Sequence, residues 1–210
     1  DLLGEELAVG DMNGDGHSEI ALGSLIASGI DNFMPEAGEA WIISTHPPFR
    51  GRAFDVSSLE PGRGFAIYPD QADSMGGDIL RLADLNKDGY DELLYGAPTY
   101  DVIDNKQVLR EDTGILAVFW GNESISHLFD EQLVFPSNIP NTVNVNYLVG
   151  ADSSDETAYG LAVYDFNHDG YVDIAPNGML GDGVDNALRN AGDAYIVDGL
   201  SFQRRFRLIR

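Results

Sequence analysis

Three nine-residue stretches place oxygen-bearing side chains at alternate positions: DMNGDGHSE from Asp11, DLNKDGYDE from Asp84 and DFNHDGYVD from Asp165. They share the template Asp-x-Asn-x-Asp-Gly-x-x-Asp/Glu, with glycine at the sixth position for a sharp bend. Hardly anything in them suits an apolar core, so the loops need a polar centre. A hard divalent cation supplies one: Ca2+ takes about six to eight oxygens, and a tight turn presents alternate residues inward with a backbone carbonyl at the seventh position. The expected cofactor is therefore Ca2+, at three sites. The first would be held by Asp11, Asn13, Asp15, the His17 carbonyl and Glu19, and the second by Asp84, Asn86, Asp88, the Tyr90 carbonyl and Glu92. Asp165, Asn167, Asp169, the Tyr171 carbonyl and Asp173 would hold the third. Counting Asp91, the loops carry ten carboxylates, which repel one another unless a dication sits among them.

Rival readings share these residues. An EF-hand wants a bidentate Glu at the twelfth position, between two helices. Here that position holds Leu22, Tyr95 and Pro176, and the flanks read as extended. Metal-free Asx turns use the same residue types, but turn composition alone does not explain one spacing repeated three times. Magnesium prefers octahedral geometry and keeps several waters, so it suits the loops less well.

The loops need elements to hold them, and short strand-like runs stand on both sides of each: ELAVG, ILRLA and LAVY before, EIALG, ELLYG and DIAPN after. A third run follows Gly38, Gly114 and Gly192, as EAWIIS, ILAVFW and DAYIV. A fourth is GFAIY at 64–68, VNYLV at 145–149 and RFRLI at 205–209. Four short strands per unit, without helical periodicity, predict a propeller blade. Gly23, Gly96 and Asn177 occupy one shared position, where residues tolerant of positive φ suggest a common turn or bulge. Pro176 cannot donate a ladder hydrogen bond, so its strand is expected at an edge or broken there.

Upstream of the loops the pairs Leu3-Gly4, Met75-Gly76 and Tyr159-Gly160 recur, and Gly96-Ala97-Pro98 closes the strand after the second loop. An apolar or aromatic residue plus Gly, an acidic loop, then Gly-Ala-Pro resembles the FG-GAP repeat of integrin alpha-chain propellers, over nearly the whole chain. Only the second unit keeps Gly-Ala-Pro; the first has Gly23-Ser24, the third has Ala175-Pro176 inside the strand, and none has the Phe. The resemblance implies an all-β fold of three four-stranded β-propeller blades, at 1–70, 71–150 and 151–210, forming an incomplete ring. It implies an extracellular, secreted or cell-surface segment, stabilised by Ca2+, that serves adhesion, assembly or protein recognition without catalysis. A carbohydrate-binding propeller lectin, a structural fibre subunit and an accessory domain of a secreted hydrolase are the alternatives.

Composition narrows the partners. The chain has 35 acidic and 12 basic residues, a formal net charge of -23. Its basic cluster, Arg204, Arg205, Arg207 and Arg210, is too small for a phosphate-binding surface, so nucleic acid is not an expected partner. With no Cys, disulfides, thiolate metal sites and cysteine nucleophiles are excluded. The longest apolar run, GILAVFW at 114–120, is too short to cross a bilayer, so no membrane insertion is expected. The sequence starts at Asp1 without a charged-then-apolar leader, so any signal peptide is expected to have been removed or to have been no part of this sequence. No nucleophile motif or triad stands out; the four His are scattered, and pairs such as Asp152 with Asp155 read as solvated charge. Asn122 opens the single Asn-x-Ser/Thr sequon, a candidate glycosylation site. Specificity is expected in the segments that vary between units, 24–37, 99–113, 121–144 and 178–191. Three blades leave an apolar face open at each end, so the expected partners are further propeller blades or copies of the chain, and possible glycan.

Overall fold

The computed structural model describes residues 2–51 and 53–200. Strands β1 (Leu7–Gly10), β2 (Glu19–Ser24), β3 (Glu39–Ser44) and β4 (Gly64–Pro69) form an antiparallel meander, the first sheet. The second pairs β5 (Ile79–Ala83), β6 (Glu92–Ala97), β9 (Ile115–Phe119) and β11 (Val145–Val149) in the same antiparallel way. Between β6 and β9 lies a small hairpin of β7 (Val102–Ile103) and β8 (Leu109–Arg110). The third sheet is β12 (Thr157–Tyr164), β13 (Asp173–Gly178) and β14 (Asp193–Ala194). Short 3-10 turns and a helical turn at Gly199–Leu200 are all that interrupt the strands among the described residues, where the chain is all-β and no helix is long and apolar enough to cross a membrane. The expected strand RFRLI and the basic cluster at 204–210 lie outside the described residues.

Alternation along the strands decides the packing, because successive side chains point to opposite faces. From the second sheet, Leu80, Leu93, Tyr95, Ala117 and Phe119 face Ala21, Ile42, Phe65 and Ile67 of the first. The intervening residues Ile79, Leu94, Leu116 and Val118 face Leu161 and Ile174 of the third. Both faces of the middle sheet are thus covered, which explains why β6 and β9 are buried along their whole length.

Besides the β7–β8 hairpin, a longer strand was not legible in the sequence. β10 (Gln132–Phe135), from the long excursion between β9 and β11, pairs in parallel with β4 and becomes the fifth strand of the first sheet. Phe135 lies between Tyr95, Tyr100, Phe119 and Tyr147, with ring centroids 5.2 to 6.3 Å away. The excursion at 121–144 is therefore partly a structural strap, not only a variable loop.

The expected role of Gly23 and Gly96 is corrected. Neither has positive φ; both sit inside strands, and an added Cβ would collide with the carbonyls of Gly77 and Ala158 on the next sheet. Close approach of sheets is what demands glycine. Asn177 is tolerated at the same place in the third sheet, where its Oδ1 accepts the Gly160 N–H at 2.6 Å. Positive φ falls instead on Gly38, Gly114 and Gly192, at 81, 80 and 79°. The expectation for Pro176 is corrected: β13 runs unbroken through it as the middle strand of its sheet, and the missing N–H shows in the neighbouring ladder, where the Tyr195 N–H donates to the Pro176 carbonyl, β14 ends at Ala194 and pairing resumes at the Ile174–Val197 bridge.

A backbone junction joins the sheets and recurs. Asp73, Met75 and Gly76 donate to the carbonyls of Pro35, Glu36 and Ala37 at 2.9, 3.1 and 2.7 Å; Ser154, Glu156 and Thr157 donate to those of Glu111, Asp112 and Thr113 at 2.8, 3.0 and 3.1 Å. The corresponding third-unit carbonyls belong to Arg189, Asn190 and Ala191, and none of the described residues donates to them. This junction also corrects the upstream alignment: Leu2, Met75 and Glu156 share φ of 53, 52 and 50°, so Gly4 matches Gly77 and Ala158, not Gly76 and Gly160. Two segments expected to vary are alike as well. Ile30–Asn32 and Val184–Asn186 form the same 3-10 turn, with Asp31 and Asp185 at φ 56 and 58°.

Candidate metal centre

Each acidic loop joins the first two strands of a sheet, β1 to β2, β5 to β6 and β12 to β13. The first loop is wrapped around its own carboxylates. Asp11 accepts the N–H of Gly14 on Oδ1 at 2.8 Å and that of Gly16 on Oδ2 at 2.9 Å; Asn13 Oδ1 accepts from Asp15 and Asp15 Oδ1 from His17. The second repeats this through Asp84 to Asp88 and Gly89, Asn86 to Asp88, and Asp88 to Tyr90. In the third, Asp165 accepts from Asp169 and Gly170, Asn167 from Asp169, and Asp169 from Tyr171. These bonds order the backbone and still leave lone pairs on every carboxylate, which has about four. Among the described residues no three His, Asp or Glu side chains converge as a ready metal cluster.

The ninth residue separates the loops. Glu19 is fully buried at the start of β2; Oε2 accepts the Met12 N–H at 2.9 Å, while Oε1 has no partner. Glu92 is its twin, with Oε2 on the Leu85 N–H at 2.7 Å and a buried, unpartnered Oε1. Burial pushes the Glu19 carboxyl up to about 7, against the pull of the Met12 N–H and with Asp15 and Asp11 adding to it. Glu92 goes up to about 8 for the same reason, with Asp88, Asp84 and Asp91 adding. Asp173, one methylene shorter, has both oxygens engaged: Oδ2 by Phe166 N–H at 3.0 Å and Oδ1 by Gly199 N–H at 2.8 Å.

The carbonyl donors His17, Tyr90 and Tyr171 all stand in the turn, and the exposed His17 ring stacks on His46 with centroids 4.1 Å apart. Asn122 is half-buried and caps a 3-10 turn; its Oδ1 accepts the Ser124 N–H and its Nδ2 donates to the Trp120 carbonyl. Sequence reasoning counted Asp91 among the loop charges but missed its contact with the first loop. It sits outside the alternating ligand positions, yet its Oδ2 accepts the Asp11 N–H at 2.7 Å across 80 residues. An acidic residue where the other loops have Ser18 and Val172 was the available signal.

Residues 76–119, from the turn before β5 to the end of β9, match the FG-GAP repeat family. The match covers β5, β6 and β9, three of the four strands of the middle sheet of this all-β chain. No curated protein matches the chain.

Proposed function

We propose that the chain is a segment of an FG-GAP β-propeller whose blades are stabilised by Ca2+, working outside cells in adhesion, assembly or protein recognition and carrying no catalytic site. The observation that carries the calcium reading is the pair of fully buried Glu residues, each with one carboxylate oxygen left without a partner at the foot of an acidic loop. A buried ionised carboxylate is costly unless something positive compensates it. An all-oxygen donor set suits Ca2+ better than softer metals. Bound there, the ion would supply charge compensation and cross-linking of the loop. Asp11, Asn13, Asp15 and Glu19 would hold the first, Asp84, Asn86, Asp88 and Glu92 the second, and Asp165, Asn167, Asp169 and Asp173 the third.

The partner reading rests on the recurring junction. The carbonyls of Arg189, Asn190 and Ala191 repeat an acceptor row that is filled twice elsewhere. At the other end, Leu7 and Val9 are 57% and 61% exposed and continue apolar rows with Leu22 and Trp41 and with Ile20. Both ends fit another unit of the same repeat, from a further blade or a second copy. Calorimetry with and without a chelator tests the calcium reading. The melting temperature should fall in chelator and recover on adding Ca2+; an unchanged curve refutes it.

A further inference from the structure

We infer that Asp91 couples the first two loops, so that they take up ions as a pair while the third fills on its own; this rests on the calcium reading above. The Asp91 Oδ2 accepts the Asp11 N–H at 2.7 Å, and the Asp91 N–H donates to the Asp11 carbonyl at 2.9 Å. Asp91 is itself the eighth residue of the second loop, next to Glu92. One residue of the second loop therefore grips the opening residue of the first, and its neighbour Glu92 and its partner Asp11 are both proposed ligands.

The surroundings are built for that contact. A Cβ on Gly10 would lie 2.5 Å from Asp91 Oδ2, one on Gly14 2.5 Å from the Tyr90 ring, and one on Gly121 2.5 Å from the Asp91 carbonyl. Glycine at these positions lets the two loops touch. Each coupled loop also ends on a buried Glu with an unpartnered Oε1, a separate pointer to a cation at both places. When one loop closes on an ion it fixes Asp11 or Glu92, and with it Asp91, which bonds the first and adjoins the second. Less ordering is then left for the second ion, which is positive coupling.

The third loop is an internal control. Its eighth residue is Val172, which has no acceptor and lines a small apolar cavity with Leu85, Ile174, Val197 and Gly199. The third loop meets the second through apolar and cation–π contacts, Leu85 in that cavity and Lys87 Nζ lying 4.8 Å from the Tyr171 ring centroid.

The test is a Tb3+ titration of the 210-residue protein, with Ca2+ as competitor, reading luminescence sensitised by the loop tyrosines Tyr90 and Tyr171. Tyr171→Phe leaves Tyr90, whose ring lies against both the first and second loops, so that it reports the second alone once the first is disabled and the pair otherwise; Tyr90→Phe leaves the third. Disabling the first loop with Asp15→Ala should raise the second-loop midpoint about tenfold, within the range usual for linked sites. It should leave the third-loop midpoint unchanged. With Asp91→Val or Asp91→Ser also present, the effect of Asp15→Ala on the second loop should vanish; the second variant stands in where the first does not fold. A second-loop shift of equal size with and without Asp91 overturns the coupling, as does no shift at all. Absence of ion binding in the parent protein would instead refute the calcium reading itself.

Discussion

The second and third loops share a template and differ in how their closing carboxylate is compensated. Glu92 carries one oxygen on a backbone N–H and one on nothing, whereas Asp173 has an N–H on each. The extra methylene of Glu carries the carboxylate past the reach of a second backbone donor. The shorter Asp lets the chain at Gly199 fold back and satisfy it. Matching spacing therefore does not mean matching compensation: the closing carboxylates of the first two loops call for a proton or a cation, whereas two backbone N–H groups serve the third.

The largest effect expected from this contrast is on ion removal. A site held at about 100 times its dissociation constant adds about 2.7 kcal/mol of stability. Chelation should cost most in the first two sheets, read as hydrogen-exchange protection lost from β1, β2, β5 and β6 before β12 and β13. Next comes pH. The folded Glu19 and Glu92 carboxyls sit at about 7 and about 8, above the ordinary 4.5, so their protonated forms are favoured by folding. In chelator their contribution is complete below about pH 4.5 and is lost as pH rises through about 7 to 8, each tenfold difference in proton affinity being worth at most about 1.4 kcal/mol. Urea midpoints against pH would show it, and the decline should disappear in saturating Ca2+.

Smaller effects of opposite sign follow from single changes. In chelator at a pH above about 8, Glu92→Gln should stabilise the protein by about 1 kcal/mol by removing an uncompensated buried charge. Asp173→Asn should destabilise it by about 1 to 3 kcal/mol by setting an NH2 against a backbone N–H. Equal signs in thermal melts would erase the distinction between the loops. The smallest change expected is at the half-exposed Glu6–Arg81 pair between the first two sheets, where Glu6→Gln should cost no more than about 1 kcal/mol by the same assay.

Much of the frame was legible in the sequence because local pattern decides it. Runs such as ILRLA and VNYLV became β5 and β11 with the bounds the pattern predicts. Pro176 interrupted the neighbouring ladder for a reason written in its ring. What escaped reading depends on contacts between distant residues. Gly23 is glycine because of Gly77, β10 is a strand because β4 offers an edge, and Asp91 matters because Asp11 lies beside it. The loop template was visible; the uneven satisfaction of its ninth residue was not, since it turns on Gly199.

The parallel strap bears on how the chain is made. During synthesis the edge of β4 stays uncovered until residues 132–135 have left the ribosome, some way into the second repeat. The first repeat cannot finish its own border, and a nascent chain halted before that point presents a bare strand to its neighbours.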